Sequence, residues 1–218
     1  MKIAVSGLLF LLVAGLSGGA LAQANLSEGQ RLVMQGDGQG GAPCQACHGA
    51  DGAGIAASGF PALYNLQAGY MVKQMQDYRA GKRSSLVMAP AVAKLNRQQL
   101  EAVATYYAAQ KPAPAPLPPL ATESQVRGSK LATAGDWQAW IVPCEACHGP
   151  GNRGVGSDFP ALAGQHPAYL KQQLLAWRDG SRANDPDQLM LAIAARLTPQ
   201  QIDAVVEYLA RLPAKGAQ

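Results

Sequence analysis

The chain has 218 residues, enough for one large domain or two small ones, yet only 15% are charged and 6% aromatic. Ala, Gly and Pro dominate instead of the rings that usually fill a core of this size, so a large apolar cofactor would help complete it. The formal charge of +4, or +3 without Lys2, comes from dispersed Lys and Arg with no basic run, which argues against a nucleic-acid partner.

Lys2 precedes a mostly apolar run over 3–14, and Ala20, Leu21 and Ala22 form a small-residue cleavage site. Residues 1–22 therefore read as an export signal, with the mature chain starting near Gln23 in the periplasm. An uncleaved anchor is the alternative, but the run is short of the roughly 20 residues that a membrane helix needs. No later segment is apolar enough to span. Gly36, Gly38 and Gly41 fit a dinucleotide fingerprint literally; with no preceding strand they read as a loop.

The next segments occur twice. Cys44, Cys47, His48 and Gly49 recur as Cys144, Cys147, His148 and Gly149. Phe60, Pro61, Ala62 and Leu63 recur as Phe159, Pro160, Ala161 and Leu162. Tyr70, Gln74, Tyr78, Arg79 and Gly81 match Tyr169, Gln173, Trp177, Arg178 and Gly180. Order is kept throughout, as a tandem duplication requires.

In Cys-x-x-Cys-His, a helical turn puts both sulfurs on one face, where they can add to the two vinyl groups of one haem. The adjacent histidine then reaches the iron. A redox disulfide would want a βαβ setting that is absent. One zinc site would have to join pairs about a hundred residues apart, and structural disulfides are possible in an oxidising compartment. Both pairs are followed by His and no other cysteine exists, which favours two covalently attached haem c groups.

For the sixth ligand, the second copy offers only Met190 after its motif, seven residues before Leu197, as Met88 stands seven before Leu95. Core filling is the bland alternative for this pair. Met34, Met71 and Met75 lack counterparts. His166, whose counterpart is Gln67, could ligate but better suits a surface or capping role near a helix start. Met88 and Met190 are the expected ligands opposite His48 and His148. Thioether ligation raises a haem's potential, and an iron so closed is left with electron transfer.

Helices are expected from about 70 to 78 and 169 to 177, each closed near a glycine. Terminal helices place Leu100, Val103, Ala104 and Tyr107 on one face, and Ile202, Val205, Val206 and Leu209 on another. Asn96 with Gln99, and Thr198 with Gln201, form capping-box signatures, the latter with Pro199 next. The proline-rich stretch 111–119 should be a semi-rigid spacer. The expected fold is all-α: two tandem haem domains over 23–111 and 123–213, a linker over 112–122 and a tail over 214–218.

With these motifs assembled, the chain resembles the cytochrome c4 family of dihaem class I c-type cytochromes, most closely over 140–212. The resemblance implies two class I cytochrome c-like domains whose haem edges lie close enough for internal exchange. It also implies that the carbonyls of Pro61 and Pro160 accept a hydrogen bond from His48 and His148. Arg79 and Arg178 would be candidates for contacts to the haem carboxylates, or simply solvated. Ala192 stands where Pro90 would be expected, so the second methionine loop should be less rigid. The implied function is a periplasmic carrier, not an enzyme, serving redox proteins such as a membrane oxidase or a reductase. An electron-accepting subunit of a periplasmic dehydrogenase has the same motifs; a dihaem peroxidase would need an iron that can open.

Overall fold

The computed structural model describes residues 16–113, 116–119 and 121–214. Most of the expected export signal, linker positions 114, 115 and 120, and tail residues 215–218 lie outside that set. Among the described residues the regular structure is helical, with only isolated β-bridges. None of these helices is long and apolar enough to cross a membrane.

The first unit contains α1 (Leu16–Gln35), α2 (Gln45–His48), α3 (Ala68–Arg79), α4 (Met88–Val92) and α5 (Arg97–Ala108). The second repeats it with α6 (Thr122–Thr133), α7 (Cys144–His148), α8 (Pro167–Arg178), α9 (Leu189–Arg196) and α10 (Pro199–Arg211). Helix α1 runs without a break past Ala22, the expected cleavage point.

In each unit the first helix packs on the last, α1 on α5 and α6 on α10. Glycine permits the close approach. A Cβ on Gly29 would lie 2.2 Å from the Ala102 carbonyl oxygen, and one on Gly128 would lie 2.3 Å from that of Ala204. Neither contact is sterically possible, so the backbones meet there only because a side chain is missing. The expected apolar faces of α5 and α10 are buried, and Met71 and Met75 lie in the first core.

Both capping boxes form. Asn96 accepts from the Gln99 N–H at 2.9 Å while the Gln99 side chain accepts from the Asn96 N–H at 2.9 Å. Thr198 and Gln201 do the same at 3.2 and 2.9 Å. These reciprocal bonds satisfy helix-end donors that would otherwise be orphaned. The linker is tied to α10 where Arg211 Nη2 donates to the Pro118 carbonyl at 2.7 Å.

The two units meet face to face with an approximate two-fold exchange of partners. Gln67 donates to the Arg153 carbonyl, and its counterpart His166 bonds through Nε2 to the Ala53 carbonyl. Gln165 makes a reciprocal pair with the backbone of Ala62, at 2.9 and 2.8 Å. Asn65 donates to the Ala163 carbonyl at 2.6 Å.

Candidate haem-binding sites

Each Cys-x-x-Cys-His segment is a single helical turn started by proline. The Ala46 N–H bonds to the Pro43 carbonyl and that of Ala146 to the Pro143 carbonyl, both at 3.0 Å. The chain then turns back at Gly49 and Gly149, whose φ angles of 74° and 75° suit glycine. Gly54 and Gly154 donate to the carbonyls of His48 and His148 at 2.9 and 2.7 Å, which locks the turn-back. The loop thereby returns Pro61 and Pro160 to the histidines. His48 Nδ1 lies 3.1 Å from the Pro61 carbonyl oxygen, and His148 Nδ1 lies 2.7 Å from that of Pro160. Phe60 and Phe159 stand edge-on to the same imidazoles, each at 6.2 Å between ring centres.

A carbonyl can only accept, so Nδ1 carries the proton in both rings and the lone pair sits on Nε2. Burial presses both histidines below their ordinary pKa, and the carbonyl bonds offset this only in part. Each ring is thus neutral at neutral pH. Nε2 of His48 is buried without any hydrogen-bond partner. A buried, unpartnered lone pair fits an iron ligand and is costly otherwise. Burial pushes the Cys144 thiol up to about 11 and raises that of Cys44.

In the second unit a cavity of about 460 Å³ is lined by Cys144, Cys147, His148, Pro160 and Met190, with Leu170 and Leu174 among its apolar walls. Its donor set and apolar volume fit a haem. Met190 is the second residue of α9, its backbone N–H held by the Asp185 carboxylate at 2.8 Å. Met88 opens α4 with its N–H on Ser85 Oγ at 3.0 Å. Met88 and Cys44 pack against the same core cluster. Pro90 lies inside the five-residue α4, while α9, with Ala192 in that place, continues for eight residues.

Arg79 and Arg178 are exposed at their helix ends. The buried arginines are Arg83 and Arg182, at 5% and 6% exposure. They follow Gly81 and Gly180 by two residues in both copies, so extending the repeat comparison past the glycines would have singled them out. Arg83 donates to Tyr169 and Gln173 of the second unit at 2.9 and 2.6 Å. Arg182 donates to Tyr70 and Gln74 of the first at 3.1 and 3.2 Å. Desolvation opposes the charge on Arg83, but the surrounding tyrosine oxygens outweigh it and the guanidinium is held above its ordinary value. His166 stands at the start of α8 as expected; its side chain makes no cap and serves the interface.

Two helical units, each with a Cys-x-x-Cys-His turn and a carbonyl-oriented histidine, define a dihaem c-type cytochrome. The cytochrome c family model matches residues 26–111 and again 125–213. The thiosulfate dehydrogenase electron acceptor of Stutzerimonas stutzeri (strain A1501) is 43% identical over 197 residues, covering 88% of this chain and 90% of that protein. Cytochrome c4 of Pseudomonas aeruginosa is 36% identical over 204 residues, covering 91% and 94%. Among solved structures, thiosulfate dehydrogenase (TsdBA) from Marichromatium purpuratum superposes with a TM-score of 0.80 at 39% identity. That match covers 86% of this chain, which spans 40% of the length of that protein. The chain belongs to the cytochrome c family, as a tandem dihaem protein of the cytochrome c4 type. It carries two covalently bound haem c groups and is an electron-transfer protein.

Proposed function

We propose that this chain is the periplasmic electron acceptor of a dehydrogenase that oxidises a small sulfur anion of the thiosulfate class, passing electrons on to an oxidase or reductase. The similarity to a thiosulfate dehydrogenase electron acceptor, and to a segment of the longer TsdBA protein, supports the dedicated-acceptor reading over the general carrier. Cys44 and Cys47 attach one haem, and Cys144 and Cys147 the other. His48 with Met88, and His148 with Met190, would hold the two irons, and the carbonyls of Pro61 and Pro160 would orient the histidines. The mature domains are 23–111 and 123–213, joined by 112–122.

The observation that carries this reading is the shared cavity of His148 and Met190, in which the Pro160 carbonyl occupies Nδ1 and leaves Nε2 for the iron. Haem bound between a histidine and a methionine supplies one-electron exchange at raised potential. His148 and Met190 would hold the iron and leave it no site for substrate, so this reading gives the chemistry on the sulfur anion to the dehydrogenase.

Mixing the purified holoprotein with a thiosulfate dehydrogenase and thiosulfate tests this by the absorbance of the reduced haems. Rapid reduction of both haems that needs the enzyme is the expected result. Reduction by thiosulfate alone would make the chain an enzyme, and no reduction in the mixture would return it to the general carriers.

A further inference from the structure

The loops that bring Pro61 and Pro160 to the histidines are anchored alike but filled differently. The Gly52 carbonyl accepts from the N–H groups of Leu63 and Tyr64 at 2.7 and 3.3 Å, and that of Asn152 from Leu162 and Ala163 at 2.9 and 3.1 Å. Gly52 and Asn152 therefore hold the same place in the repeat. Both have a left-handed backbone, with φ of 72° and 55°, a conformation that asparagine tolerates better than most side chains.

A Cβ on Gly52 would lie 2.8 Å from the Tyr107 ring, so glycine is what admits the ring there. Tyr107 is fully buried, stands edge-on to His48 at 6.5 Å between ring centres, and donates from its hydroxyl to the Gly49 carbonyl at 3.0 Å. Burial raises its pKa, so it stays a neutral phenol. In the second unit α10 carries Leu209 at the position of Tyr107. Asn152 is fully buried, and neither its amide oxygen nor its amide nitrogen has a hydrogen-bond partner. The histidine bond differs too: Nδ1 lies 2.7 Å from the carbonyl oxygen in the second unit and 3.1 Å in the first.

These differences act in one direction. A shorter Nδ1–H···O bond makes the imidazole a more basic ligand, which favours the oxidised iron. A buried amide that no protein group has claimed is a dipole free to face positive charge. The rings of Phe60 and Tyr107 instead give His48 an apolar setting, which disfavours the added charge of the oxidised state. We propose that the exchange of Gly52 and Tyr107 for Asn152 and Leu209 lowers the potential of the second haem relative to the first, the four acting as positioning residues through His48 and His148. The inference rests on those histidines as axial ligands.

Reciprocal transplants in the full-length holoprotein test it, by redox titration of each haem. Asn152→Gly with Leu209→Tyr should raise the second midpoint and leave the first in place. Gly52→Asn with Tyr107→Leu should lower the first and leave the second. Midpoints that stay put, move together or move the other way overturn the inference. Should the transplants fail to mature, Asn152→Gly alone suits the positive φ at that position. A smaller rise at the second haem is then expected, and no rise overturns the proposal. The proton NMR signals of the two ligand-histidine Nδ1–H groups in the wild type test the underlying ligand assignment separately. Their absence would remove that assignment and this inference with it; their presence with unmoved midpoints in the variants would overturn the inference alone.

Discussion

Gly128 lies against Ala204 so closely that a Cβ would sit 2.3 Å from the Ala204 carbonyl oxygen. The contact is backbone to backbone, so no side-chain rotation can relieve it. Gly128→Ala should therefore force α6 away from α10 and lower stability by about 1–3 kcal/mol, read as a fall in thermal midpoint by circular dichroism. Gly180→Ala is the contrast. Nothing lies within 4 Å of that position, and the cost there is left-handed strain at a φ of 76°, on the order of 1–2 kcal/mol, with the helix packing unchanged.

Met190→Ala should open the second iron while sparing the first, because the two methionines belong to separate helices, α4 and α9. Carbon monoxide should then bind the reduced variant at half the haem content. Retention of both methionine-ligated signatures in the ferric spectrum would refute the assignment.

Gln165 satisfies both backbone groups of Ala62, which is 2% exposed. Gln165→Ala strands a buried N–H and a buried C=O, at about 1–3 kcal/mol each. The units should separate more readily, and faster protease cleavage in the proline-rich linker would register it. An unchanged cleavage rate would mean that the remaining cross-unit bonds suffice.

Distinct potentials are expected for the two haems. Arg83 lies 4.8 Å from the Tyr78 ring centre, whereas Arg182 lies 4.0 Å from that of Trp177, and only the indole has an unpartnered N–H. A redox titration should need two midpoints, and Trp177→Tyr should bring them closer. A wild-type titration described by one value would contradict this.

The loop before Cys44 should be sensitive to acid. Asp37 accepts from the N–H groups of Gln39 and Gly41 at 2.7 and 3.0 Å, and these bonds, that of Gln39 first, hold its pKa below the ordinary carboxylate value. A depressed folded-state pKa stabilises the loop above the unfolded value, and the gain is lost as pH falls through the folded one. Asp37→Asn should thus be less stable than wild type at neutral pH and equal to it in strong acid. A difference that stays constant with pH would assign the effect to something other than ionisation.

Much of this was legible in the chain itself because duplication prints every constrained position twice. The two haem motifs, the paired methionines and the capping boxes at Asn96 and Thr198 all stand out against unconstrained neighbours. Helices α1 and α6 carry no such signal. Each has a glycine, Gly29 or Gly128, in the middle of its packing face, where a periodicity reading expects an apolar side chain, and proximity to α5 or α10 alone explains it. Arg83 and Arg182 give no sequence signal of burial for a related reason. Arginine in a loop after a glycine reads as solvated, and its burial depends on a partner unit a hundred residues away. His166 stands at a helix start without capping it, and its bond to Ala53 arises only when the units meet.

The exchange of partners across the interface has a historical meaning. Arg83 reaches Tyr169 and Gln173 as Arg182 reaches Tyr70 and Gln74, and Gln67 reaches residue 153 as His166 reaches residue 53. That reciprocity is the mark of an isologous contact, which ordinarily joins two identical subunits. Found within one polypeptide, it is what a duplicated unit packing against its own copy gives. Linkage in one chain gave each half a permanent neighbour at high effective concentration. It also freed the halves to diverge, so that Trp177 and Tyr78, once the same residue, could give a formerly symmetric pair an electrical direction.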